Sequence, residues 1–225
     1  MNWILSFFSS SIGRKFAMAL SAVFLIFFLF QHFAINLTSV FSEDTFNKVS
    51  HFMGNNPLVQ FLLQPVLMFG VTFHFVMGFV LEIKNKKAKG SKYAMNKGSA
   101  NSTWMSRNML VSGMIILIFL CLHFYDFWIP EMNYKYIQFK TPDENRYYEE
   151  LLHKFHDPVR VSIYTLSFIL LSLHLWHGFQ SAFQSAGAGG SKYKPFIKNV
   201  GKMYAIVIPF GFVFIALYHH FINSH

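Results

Sequence analysis

The chain has 225 residues, 53% of them hydrophobic and 19% aromatic, with 29 Phe and only 13% charged. That composition, with its positive mean hydropathy, excludes an ordinary soluble domain and fits a polytopic membrane protein. The net charge of +9 is scattered between long uncharged runs instead of gathered in one patch, which argues for membrane lipid and against nucleic acid as a partner.

Five nearly uncharged stretches follow one another, at residues 16–41, 57–83, 109–129, 161–188 and 203–223. Each has the roughly 20 residues that a helix needs to cross about 30 Å of hydrocarbon. The predicted fold is therefore an all-α integral membrane protein, a single domain over 1–225 with five transmembrane helices in a bundle. Arg14 and Lys15 precede the first stretch as they would a signal peptide, but its apolar part is too long for one, and it is read as a permanent helix. The connection 42–56 carries Glu43 and Asp44. The longer connection 130–157 holds most of the other acids, and its PDENRYYEELLHKFHDP segment predicts a short surface helix, with TPDE as its start. Cys121 is the chain's single cysteine, so no disulfide, zinc knuckle or iron–sulfur cluster can be built from cysteine alone. After the fourth stretch, GAGGSKYKP from Gly187 predicts a helix stop and a tight turn, because glycine accepts left-handed backbone angles and Pro195 cannot continue a helix.

Lys and Arg placement predicts the orientation. Of the 19 basic residues, most lie before the first stretch, between the second and third (Lys84, Lys86, Lys87, Lys89, Lys92, Lys97, Arg107) and between the fourth and fifth (Lys192, Lys194, Lys198, Lys202). These connections are expected inside, which puts the N-terminus inside and the C-terminus outside. Trp104, Trp128, Tyr134, Tyr136, Tyr147 and Tyr148 fall near the span ends, where aromatic belts form.

Four of the stretches carry one histidine each at nearly the same distance from the start: His32, His74, His123 and His174. At 1.5 Å per residue each lies roughly 24–26 Å along its helix. Alternate spans run in opposite directions, so His32 and His123 share an outer level while His74 and His174 share an inner one. A single histidine in a membrane helix is often only hydrogen-bonded to a carbonyl or hydroxyl. Four at matched depths point instead to bis-histidine ligation of two b-type haems inside a haem-binding helical bundle. Gly78 and Gly178 follow His74 and His174 by four residues, on the same helical face, where a missing side chain leaves room for a flat macrocycle. His177, one turn from His174, is the other ligand candidate, or a partner for a haem propionate or the inner interface. His51, His153, His156, His219, His220 and His225 are expected on the solvated surface.

The sequence also resembles a known family. GRKFAMALSAVFLIFFLFQHFAINL in the first span, FHFVMG in the second, FLCLHFYDFW in the third and LHLWHGFQSAFQSAG in the fourth are similar to the di-haem cytochrome b membrane anchor, single five-helix type, of succinate:quinone oxidoreductase (succinate dehydrogenase or fumarate reductase). The resemblance covers most of the chain. It implies two haem b groups, one on His32 and His123, the other on His74 and His174. The implied partners are a flavoprotein with covalent FAD, an iron–sulfur subunit docked on the inner face, and a quinone, commonly menaquinone, near the outer side. The implied place is the cytoplasmic membrane of a bacterium. Two features depart from the family pattern. Ser172 stands where some fumarate-reducing members carry a glutamate, and the 130–157 connection is longer than in compact members. Asp126, three residues after His123, is a candidate for handling quinone protons, or else a carboxylate facing water at the interface. Two other functions are compatible with the sequence: the cytochrome b anchor of a hydrogenase or formate dehydrogenase, and a haem-free transporter that uses its histidines for ions.

Overall fold

The computed structural model describes residues 6, 10–88, 108–188, 190 and 192–223. The features expected at Lys89, Lys92, Lys97, Trp104, Arg107 and His225 lie outside the described residues. No strand occurs among those described. Five helices are long and apolar enough to cross a membrane. In chain order with two shorter helices they are α1 (Ser11–Phe41), α2 (Glu43–Asn55), α3 (Val59–Lys87), α4 (Met109–Ile137), α5 (Arg146–His156), α6 (Pro158–Ala188) and α7 (Lys194–Ile222).

The helix ends follow from local chemistry. Ser10 Oγ accepts the N–H of Gly13 at 3.0 Å and caps α1. Ser42, the one extended residue between α1 and α2, gives its N–H to Thr38 O and accepts that of Thr45 on its hydroxyl, so it closes one helix and opens the next. Glu43 and Asp44 then occupy the first turn of α2, where the helix dipole favours anions. The connection 42–56 is therefore mostly helix. At α6, Asp157 Oδ1 accepts the N–H of Val159 at 2.9 Å and Pro158 takes the first position, where its missing donor costs nothing.

Three expected boundaries are corrected. α4 does not stop at Ile129 but continues to Ile137 through two π-helical turns, Phe124–Trp128 and Asn133–Ile137. Pro130, which has no N–H to give, follows directly on the first π turn, where the hydrogen-bond ladder is already shifted. α5 begins at Arg146, downstream of the expected TPDE start, because Asp143 spends its carboxylate on the N–H of Asn145 in a turn. Gly187 does break the helical backbone, within the last turn of α6, with φ 101°. Pro195, expected to lie in a turn, sits instead in the first turn of α7, which therefore starts well before residue 203.

The core lies between α6 and α7. Of the most apolar 18 residues of each span, 39% are buried in α7 and 33% in α6, but 11% in α1 and α4 and only 6% in α3. Gly201 and Gly211 let aromatic rings lie directly on the α7 backbone, those of Phe179 and Phe33; a methyl group at Gly201 would meet Phe179 Cδ1 at 2.7 Å. The larger cluster joins Tyr164 and Phe168 of α6 to Ile208, Phe212 and Ile215 of α7, and reaches Phe46 of α2 and Leu151 and Phe155 of α5. α2 and α5 thus close one end of the bundle, the capped end. Lys84, Lys86, Lys87, Lys192, Lys194 and Lys198 are exposed at the other, the lysine end. Exposed Phe27, Phe69, Ile118, Leu166 and Phe210 cover the flanks, an arrangement stable only against hydrocarbon.

Candidate functional site

His32 on α1 and His123 on α4 face each other near the capped end. Their ring centroids are 5.8 Å apart and the rings stand almost perpendicular, at 83°. Aromatic side chains surround them: Phe28 stacks on His32 at 5.5 Å, Phe212 lies 5.7 Å from it, and Phe127 and Phe119 lie 5.3 and 5.9 Å from His123. The hydrogen-bonding support is thin. Asn36 Nδ2 spends its good hydrogen bond on the His32 carbonyl at 2.8 Å and reaches the ring nitrogens only at 3.5 Å. His123 Nδ1 is buried with no partner among the described residues. Desolvating an imidazole nitrogen without a hydrogen-bond partner is costly.

Nearer the lysine end, His74 on α3 and His174 on α6 are each held by a serine from a neighbouring span. Ser21 Oγ of α1 lies 3.1 Å from His74 Nδ1, and Ser112 Oγ of α4 lies 3.1 Å from His174 Nδ1. Ser21 and Ser112 each stand 11 residues before the histidine of their own helix, His32 and His123. Eleven residues are close to three helical turns, so serine and histidine share a face roughly 16 Å apart along the axis. The two levels of imidazoles are separated by about that distance.

All four histidines are half-buried, on helices that contribute few residues to the core apart from α6. Opposite Gly78 stands the Cε of Met18, and opposite Gly178 that of Met109, 3.7 and 3.2 Å from where a β-carbon would be. A flexible thioether, not a rigid ring, fills the space beside each glycine, and such a side chain yields readily. His177 is half-buried one turn along α6.

Asp126 does not face water. The π turn that begins just after His123 carries it inward, where its carboxylate is 2% exposed, ion-paired with Arg160 and hydrogen-bonded by the Tyr164 hydroxyl at 2.8 Å. The Tyr164 ring lies 6.2 Å from that of His123, so the paired charges stand one side chain behind that imidazole. His219 is a second correction. Expected at the surface, it is fully buried between Tyr148 and Tyr218, with Nε2 2.8 Å from Ser39 Oγ. The folding of α2 and α5 over the bundle end covers it. His51 is also half-buried, against Tyr147 and 3.7 Å from Glu144, and His220 Nδ1 lies 2.9 Å from the Phe155 carbonyl. His153 and His156 are exposed as expected.

At the capped end Glu131 of α4 is ion-paired with both Lys135 and Arg146, and Arg146 also reaches Glu150 at 2.6 Å. Its guanidinium lies over the rings of Tyr134 and Tyr147, 4.1 and 4.5 Å from their centroids. Burial in this cluster pushes the Tyr147 hydroxyl above the ordinary phenol range.

No group of three or more His, Cys, Asp or Glu side chains converges among the described residues. His32 and His123 are two residues that could hold a metal between them. Comparison with family models, with curated proteins and with solved structures finds no match to this chain.

Proposed function

We propose that the chain is a di-haem cytochrome b, the membrane subunit that passes electrons between an iron–sulfur partner and a quinone in a succinate:quinone oxidoreductase. The observation that carries the haem reading is the facing of His32 and His123. A metal–imidazole bond of about 2 Å on each side, plus about 1 Å from each nitrogen to its ring centre, requires centroids about 6 Å apart, and the observed separation is 5.8 Å. The serine-held pair at the second level, and the apolar rings about the first, support the same reading.

In this reading His32 with His123, and His74 with His174, hold the two haems, which supply reversible one-electron iron chemistry when bound. The chain's own side chains do the rest. Phe28, Phe119, Phe127 and Phe212 exclude water around the capped-end pair. Asp126 and Arg160 place a compensated pair of charges behind His123, where a carboxylate already bound by Arg160 and Tyr164 is poorly placed to carry protons alone. The exposed lysines at the opposite end suit an acidic face of an iron–sulfur subunit, and their placement supports reading that end as the inner, cytoplasmic one.

The partner assignment is tested by purifying the tagged protein from its native membrane in mild detergent. Co-purification of a subunit carrying covalent flavin, together with an iron–sulfur protein, is expected. A hydrogenase or molybdenum-containing partner in its place would move the chain to another dehydrogenase, and a haem-free protein without redox partners would favour a transporter.

A further inference from the structure

We infer that Ser21 and Ser112 are positioning residues: each fixes one imidazole of the lysine-end pair as the Nδ1–H tautomer, leaving Nε2 as the metal-binding nitrogen. A serine hydroxyl has one proton to give. Ser21 Oγ donates its proton to the Met18 carbonyl at 2.8 Å, and Ser112 Oγ donates its own to the Met109 carbonyl at 3.0 Å. With the proton spent on the helix, the hydroxyl oxygen meets Nδ1 only as an acceptor, at 3.1 Å in both cases. Nδ1 must then carry the hydrogen, and the lone pair of each neutral ring falls on Nε2. Histidines that bind metals characteristically give their second N–H to such an acceptor, which orients the ring and raises its basicity.

The arrangement occurs twice. Met18, Ser21, Ala22 and His32 on α1 have the same spacing as Met109, Ser112, Gly113 and His123 on α4, and His74 with Gly78 on α3 matches His174 with Gly178 on α6. Each methionine carbonyl takes the serine proton, and each methionine side chain lies opposite the glycine that follows the held histidine. On α4 the residue after the serine is Gly113, and the His174 Cε1 lies 3.7 Å from where a β-carbon would be there. Each odd span therefore contributes one ligand to the capped-end level and one serine to the other. Among the described residues the capped-end pair has no equivalent hydroxyl contact, and His123 Nδ1 has no partner.

This inference rests on the haem reading above, and the test separates the two. Wild-type protein, Ser21→Ala, Ser112→Ala and Ser112→Thr are purified, and the haem-to-protein ratio and both midpoint potentials are measured. Each alanine variant is expected to retain one of the two haems about 10- to 100-fold more weakly. The potential of that same haem should rise, because a less basic ligand stabilises the oxidised iron less, while the other haem stays unchanged. Threonine, which keeps a hydroxyl able to back-bond to the helix, should behave as wild type. Alanine variants that hold both haems at wild-type potentials overturn the inference alone, as does a shift that is equal in both haems. A wild-type protein without haem overturns it together with the reading beneath it.

Discussion

Replacing His174 by alanine is expected to halve the haem content of the purified protein, from two per chain to one, while His177→Ala retains both. The two residues stand one turn apart on α6 and both are half-buried, so depth alone separates them weakly. What distinguishes them is the anchor: Ser112 of the neighbouring α4 holds His174 Nδ1 at 3.1 Å. An iron left with a single axial imidazole loses low-spin character and is released easily, so the loss should be of a whole haem, not a small spectral shift. The haem that survives in the His174 variant should be the one on His32 and His123. A His123→Ala change should remove that one and spare its counterpart. Pyridine haemochrome content against protein concentration reads each case. If His177→Ala loses a haem and His174→Ala keeps both, the ligand has been assigned to the wrong residue.

Glu131→Ala should lower the stability of the protein more than any exposed charge substitution. Glu131 is 17% exposed, and its removal takes the carboxylate from Lys135 and leaves Arg146 with Glu150 alone; the two cations are 11% and 10% exposed, inside the cap between α4 and α5. Breaking a buried ion pair from one side costs about 3–5 kcal/mol, because the remaining charge loses its partner without regaining water. For a chain of this size that lowers Tm by on the order of 10 °C. The exposed Glu150, 44% accessible, pairs with the same arginine, and Glu150→Ala should cost under about 1 kcal/mol. Thermal unfolding in detergent, followed by circular dichroism, gives both values. Equal Tm values for the two variants would show that Glu131 does not tie the cap to the bundle.

The spans were legible in the sequence because twenty apolar residues in lipid leave the backbone little choice but a helix. Less legible was whatever depends on hydrogen bonding at particular residues. Pro130 and the Thr141–Glu144 run read as loop and helix start, yet π turns carry α4 past the proline and the Asp143 turn delays α5 to Arg146. The Ser42-Glu43-Asp44 run is a recognisable helix start, and it marks α2, which the acid count alone presented as a polar connection. Burial of His219 required knowing that α2 and α5 fold over the bundle end, a tertiary event with no signature near the residue itself.

Of the site, the sequence supplied histidines and depths but not their supports. Ser21 and Ser112 were readable as equal spacings before His32 and His123, a repeat hidden because most of the residues between them differ. Arg160 and Tyr164 could not have been paired with Asp126 from spacing, since the π turn after His123 changes which residues face inward.

The central claim meets its most direct test in a single preparation: the reduced-minus-oxidised absorption spectrum of the purified protein, with haem and protein quantified together. Two bis-imidazole sites predict α-bands of low-spin b haem and a ratio of about two haems per chain. A flat difference spectrum from fully folded protein would contradict it.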